Sequence, residues 1–224
     1  MPFPDCLEKS DADVTVAKPA LLVIGATYSI SSNRRKLCAL ADYFDITCAT
    51  SKLSDRSFYG LPIQEFEDIN SQEPFLLRRL AEFPKGKEFT QFFYSGLHNA
   101  FREKEFDFVL VDSEPWGLVK WQAWLLAKLY QRKALFGEFS WENVKREGFK
   151  GQILSVIYRL SILADDFIIA GNQTCRAYFW HTEPILNAIS WLLRSESTPS
   201  YFTRSTRVRS ANADAAWAYL KTVS

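Results

Sequence analysis

Ala20-Leu21-Leu22-Val23-Ile24-Gly25-Ala26-Thr27-Tyr28 is the stretch that decides the fold of this chain. Five apolar residues in a row leave no polar face, as in a strand covered on both sides by helices. Gly25-Ala26 ends the run in a tight turn. Ser31, Ser32 and Asn33 then offer N-cap side chains, and Leu37, Leu40, Ala41 and Phe44 recur at helical spacing. A second strand is predicted over Ile46–Thr50. The chain thus opens as strand, helix, strand.

The same alternation continues outward. A short strand is predicted at Ile63–Phe66, a helix around Phe75–Ala81 and an aromatic-rich helix over Phe89–Phe101. Then come a strand at Phe106–Val111, a helix at Leu118–Leu129, a strand at Lys133–Phe136 and a loop over Phe139–Phe149. A helix at Ile153–Leu163 and a strand at Phe167–Ala170, ending in Gly171-Asn172, complete the pattern. Mostly apolar strands separated by helices predict an α/β domain: a Rossmann-like parallel sheet with helices on both faces. Three segments result: a polar N-terminal tail at 1–19, the Rossmann-like domain at 20–178 and an irregular tail at 179–224.

Composition narrows the function. The net charge of +1 gives no global pull toward nucleic acid or an anionic membrane, and no nucleic-acid partner is expected. Cys6, Cys38, Cys48 and Cys175 form no CxxC pair, and with His98 and His181 they form no cluster. Neither a metal site nor a disulfide scaffold is expected, and a reducing, cytoplasmic location fits. Met1–Lys18 lacks the apolar core of a signal peptide. Ile153–Ala170 is interrupted by Arg159, Asp165 and Asp166 and does not read as a membrane span. There is no GxGxxG and no Walker A sequence, so no cofactor is expected.

Parallel sheets place chemistry on loops at the carboxyl ends of their strands. Gly25-Ala26-Thr27-Tyr28 precedes a helix beginning near Asn33-Arg34-Arg35. A glycine turn and a helix N-terminus suit an anion; an ordinary turn with two solvated arginines is the alternative. Glu114-Pro115-Trp116 sets a carboxylate beside an aromatic face, a combination suited to sugar hydroxyls. The alternative, favoured for this loop alone, is a helix start with Trp116 in the core. Phe139-Ser140-Trp141-Glu142-Asn143 joins an aromatic, a carboxylate and an amide after an apolar strand. Ligand contact is favoured there over Ser140 capping a short helix with Trp141 buried.

Taken together, the pieces resemble the amino-terminal domain of GT-B-fold glycosyltransferases in the family 4 group of retaining enzymes. The matching pieces are Arg34-Arg35-Lys36-Leu37 with Leu40-Ala41, Thr47-Cys48-Ala49-Thr50, Glu114-Pro115-Trp116 with Gln122-Ala123, Ser140-Trp141-Glu142-Asn143, and Ala164-Asp165 leading to Ala170-Gly171-Asn172. The likeness runs roughly from Leu21 to Ala177. It implies a single acceptor-binding domain with Glu114, Trp116, Trp141, Glu142 and Asn143 at the acceptor, and Gly25, Ala26, Asn33 and Arg34 near the donor phosphates. The implied partner is a sugar acceptor or glycan. A nucleotide-sugar is implied only if a donor domain is supplied, and peripheral membrane association only if the acceptor is a lipid. In that family the donor site, with its pair of glutamates, lies on a second α/β domain, for which no room is expected after Asn172. The resemblance implies a truncated transferase inactive by itself. A non-catalytic glycan-binding module is the alternative, and a different small-molecule enzyme on the same sheet lacks a supporting motif.

The tail shapes this expectation. Trp180–Ser224 mixes apolar residues with Ser, Thr and Arg in no clear period; a mobile terminus is the plain reading. Joining the last base of each codon to the first two of the next, from Tyr178 and Phe179 onward, permits LLAHGADPERDIVAPPFGVDTELFHPVD. Its GVDTELFHP portion resembles the segment linking the two domains in family 4 glycosyltransferases. A one-base frame change near Phe179 is the expectation that follows. Sequencing the gene checks it. The shifted frame is expected to encode that linker and then a second α/β domain, and a shifted frame without them would contradict the expectation.

Overall fold

The computed structural model describes residues 17–54, 64–65, 73–84, 92–141, 148–181 and 201–204. The strands are β1 (Ala20–Ile24), β2 (Asp45–Ser51), β3 (Leu53–Ser54), β4 (Gln64–Glu65), β5 (Leu76–Phe83), β6 (Phe93–Ser95), β7 (Phe108–Asp112), β8 (Leu135–Ser140), β9 (Phe167–Ala170) and β10 (Tyr201–Arg204). The helices are α1 (Ser31–Leu40), α2 (Leu97–Glu103), α3 (Leu118–Tyr130), α4 (Gly148–Ala164) and α5 (Gln173–His181). The main sheet runs β10-β9-β8-β7-β1-β2-β5-β6. From β9 to β5 all neighbours are parallel, and β10 and β6 close the two edges antiparallel. The fold is α/β and Rossmann-like.

The buried runs explain the order. Leu22, Val23 and Ile24 of β1 and Val109 and Val111 of β7 are all shielded from solvent, as central parallel strands require. Alternate residues feed two cores. Leu22, Ile24, Val109 and Phe136 pack under Leu97 and Phe101 of α2 and Val119 and Ala123 of α3. Leu21, Val23, Ile46 and Leu110 pack under Leu37 of α1. From β1 the chain moves one way to β2 and the other way to β7, so the strand order reverses between β1 and β7. Such a switch point opens a crevice at the strands' carboxyl ends.

Several expectations are corrected. Phe75–Ala81 is not a helix: Leu76–Phe83 is a strand, parallel to β2 and antiparallel to β6. Leu76-Leu77-Arg78-Arg79-Leu80 suits a helix locally, but pairing on both edges decides the outcome. Phe89–Phe101 is not one helix, because Phe93–Ser95 is a strand and Gly96 turns the chain at φ 81° before α2. Residues 85–91 lie outside the described residues, as do Ile63 and Phe66 of the predicted short strand, whose centre is β4. None of Ser31, Ser32 and Asn33 caps α1; Ile30 holds that position without a side-chain bond. β8 also extends through Phe139 and Ser140, both expected in a loop. In the tail, α5 runs on to His181, and Tyr201–Arg204 pairs with the edge of β9. The rest, 182–200 and 205–224, lies outside the described residues.

Gly137 sits in mid-strand where β8 meets β9. A Cβ there would lie 2.5 Å from the carbonyl oxygen of Phe167 and 2.6 Å from its ring. Gly137→Ala is therefore expected to destabilise the fold by roughly 1–3 kcal/mol, the usual cost of overpacking. Urea unfolding checks this, and a midpoint unchanged from the parent would contradict it.

Candidate functional site

The crevice at the switch point is built from the ends of β1 and β7. Gly25 packs against its neighbours: a Cβ there would meet the Cβ of Asp112 at 2.9 Å and the ring of Tyr28 at 3.0 Å. Its tight approach thus seats β1 against β7. Asp112 accepts from the Thr27 hydroxyl at 3.0 Å and from Lys36 Nζ at 3.1 Å. That ammonium also lies over the rings of Tyr28 and Phe139, 4.8 and 4.6 Å from their centroids. Tyr28 is buried, and burial, with the Asp112 charge beside it, raises its hydroxyl well above the ordinary value. Tyr28 is consequently a neutral wall of this corner.

Two residues expected near donor phosphates serve the turn itself. Arg34 is 1% exposed. Its Nε donates to Glu73 Oε1 at 2.5 Å, and its Nη1 donates to the carbonyls of Tyr28 and Ser29 at 2.9 and 3.2 Å. Asn33 Nδ2 donates to the Thr27 carbonyl at 2.9 Å. Ala26 is half-buried and Thr27 is exposed. Among the described residues, Lys36 is the cation that meets Asp112 in the crevice.

A second corner joins β7 to β8. Glu114 Oε2 accepts from Ser140 Oγ at 2.5 Å, and Glu114 Oε1 accepts from the Trp141 N–H at 3.3 Å. Trp141 is 55% exposed. Its indole lies against Gly171, where a Cβ would stand 2.4 Å from the ring, and its edge meets Phe139 at 5.6 Å between centroids. Gly171 N donates to the Ser140 carbonyl at 2.8 Å. Asn172 Oδ1 accepts from the Cys175 N–H at 2.7 Å and so caps α5. Hence the ends of β7, β8 and β9 bring the Glu114 carboxylate and the Trp141 indole to one corner.

The other loop residues divide. Ser140 caps no helix; it ends β8 and holds Glu114. Trp116 is half-buried and meets Tyr158 of α4 edge-on at 5.8 Å, which matches the core reading of its loop. Trp121 Nε1 donates to the Pro115 carbonyl at 3.0 Å and secures that loop. Glu142 and Asn143 lie outside the described residues. Cys175 is buried, and burial pushes its thiol up to about 12, which removes it as a nucleophile at neutral pH. Among the described residues no group of three or more His, Cys, Asp or Glu side chains is arranged to hold a metal ion.

Behind this corner sits a charge cluster that the sequence reading passed over. Lys120 Nζ of α3 lies 2.5 Å from Glu138 Oε2 of β8 and 2.8 Å from Asp165 Oδ2, all three side chains being fully buried. Ser161 Oγ of α4 donates to the same Glu138 oxygen at 3.0 Å. The available signal was a glutamate inside the apolar run Leu135-Phe136-Gly137-Glu138-Phe139, since a charge in a strand covered on both faces demands a partner. Burial raises the Asp165 carboxyl well above its ordinary value, against the opposing charge of Lys120. Burial alone would lower Lys120, but the charges of Glu138 and Asp165 outweigh it and raise the ammonium.

Comparison with protein-family models, with curated proteins and with solved structures finds no match to this chain. The site therefore rests on its own geometry.

Two outcomes are expected of Lys120→Met. It leaves two carboxylates buried without their cation and is expected to cost about 3–5 kcal/mol of stability. Asp165 holds its proton more tightly folded than unfolded, so its contribution is complete below the ordinary carboxyl value and fades as pH rises through the raised folded value. Without Lys120 that rise is larger. The variant's deficit in melting temperature is expected to widen from mildly acid to mildly alkaline pH, and a deficit independent of pH would contradict this.

Proposed function

We propose that this chain is the acceptor-side half of a retaining GT-B-type glycosyltransferase, with Glu114 and Trp141 receiving a sugar. The observation that carries the proposal is the Glu114 carboxylate, held by Ser140 and Trp141 beside an exposed indole face. An acceptor hydroxyl donates to Glu114, and the apolar face of its ring stacks on Trp141. Both groups are fixed beforehand, so little ordering entropy is lost on binding. The order of family-like sequence pieces and the linker-like string in the shifted frame support the same reading.

In this reading the chain orients an acceptor and leaves sugar transfer to a donor-binding half. The donor phosphates would meet the Ala26–Thr27 turn and Lys36 across the crevice. Turnover by the 224 residues alone is expected to be negligible, because the donor's orientation is missing.

Titration of intrinsic tryptophan fluorescence with a panel of oligosaccharides tests the proposal. At least one glycan is expected to bind. Glu114→Gln is expected to weaken it ~10-fold through loss of a charge-assisted hydrogen bond, and Trp141→Ala by a comparable factor through loss of the stacked face. Nucleotide-sugars alone are expected to leave the signal unchanged. Glycan binding that survives both substitutions, or turnover of a nucleotide-sugar by this chain, would overturn the proposal.

A further inference from the structure

α3 and α4 lie over the same face of the sheet, because Lys120 from α3 and Ser161 from α4 both reach the Glu138 carboxylate. Their outward faces are therefore turned the same way, and both are apolar. Leu125 and Leu129 of α3 and Ile153, Val156, Leu160 and Leu163 of α4 are exposed, Leu163 to 69%. On α4 the exposed residues follow one another at steps of three and four, which draws a stripe along the whole helix.

Among the described residues, the charge carried by these two helices has a single sign. Neither Leu118–Tyr130 nor Gly148–Ala164 contains an aspartate or a glutamate, although the chain has 26 of them. Lys128 on α3, Arg132 and Lys133 in the turn after it, and Arg159 on α4 are exposed. The acids that follow α4 are engaged within the fold: Asp165 is buried with Lys120, and Asp166 Oδ2 accepts from the Phe136 N–H at 3.0 Å. Exposed aliphatic side chains bordered by lysine and arginine match the interface of an anionic bilayer, where the apolar groups enter the acyl boundary and the cations meet the headgroups. No helix among the described residues is long and apolar enough to cross a membrane, so the contact lies in the membrane plane. A second copy fits less well, since it would bring basic helices together.

We propose that the outward face of α3 and α4 docks on an anionic lipid surface. The near-neutral whole-chain charge is compatible with this, because the attraction is local to one face. The proposal rests on the two helices alone and is independent of the glycan reading.

Co-sedimentation of the full chain with vesicles tests it, comparing phosphatidylcholine alone with phosphatidylcholine mixed with phosphatidylglycerol. Binding is expected on the anionic vesicles, weakened by salt and at least ~10-fold lower on neutral ones. Val156→Asp with Leu160→Asp is expected to abolish it. Lys128→Glu with Arg159→Glu, which leaves the apolar surface intact, is expected to reduce it at least ~10-fold with an unchanged thermal melt. Absence of binding to anionic vesicles, equal binding to neutral ones, or binding unaffected by either pair would overturn the proposal. So would a chain that self-associates through these residues and ignores vesicles, which would assign the face to a protein partner.

Discussion

Lys120 carries a positive charge into a place that water does not reach, and Glu138 and Asp165 meet it there. Removing Lys120 leaves two buried carboxylates whose desolvation nothing offsets, and removing either carboxylate takes a partner from the buried ammonium. The cluster joins α3, the middle of β8 and the residue that follows α4. Those elements are the ones that position the proposed function. β8 ends two residues beyond Glu138 at Ser140, which holds Glu114. α3 and α4 are tied down by their inner sides, and this leaves their apolar outer sides facing away from the sheet. One buried ionic contact thereby supports both the crevice and the outward face.

The crevice follows from topology. Reversal of strand order between β1 and β7 separates the loops that follow them, and ligands of such sheets bind in the crevice between those loops. Asp112, Lys36 and Thr27 fill one corner, and Glu114, Ser140 and Trp141 form the other. Phe139 touches both, through Lys36 over its ring and through the edge of Trp141. A ligand bound at either corner would therefore press on the same aromatic residue.

How much of this was legible in the sequence depended on range. β1, β2, β7, α3 and β9 were readable because their apolar patterns are local and strong. β5 was not, since Leu76-Leu77-Arg78-Arg79-Leu80 becomes a strand only through β2 on one side and β6 on the other. Glu114 and Trp141 were visible as loop residues, but the bonds joining them across 27 residues were not. Arg34 looked like a solvated cation because Glu73, its partner, is 39 residues away. Ser140 offered a capping side chain, and its actual acceptor lies on another loop. In each case the local signal was sound, and a long-range partner decided what the residue does.

The central claim is that the Glu114–Trp141 corner receives a sugar. A nitrogen-15 correlation spectrum of the labelled chain, recorded with a binding oligosaccharide, tests it most directly. The account predicts shifts concentrated at the Trp141 indole and at the amides of Ser140, Trp141, Gly171 and Asn172, with β6 and the turn after α3 unmoved. Shifts clustered away from those residues, or a bound glycan that leaves the Trp141 indole unchanged, would contradict it.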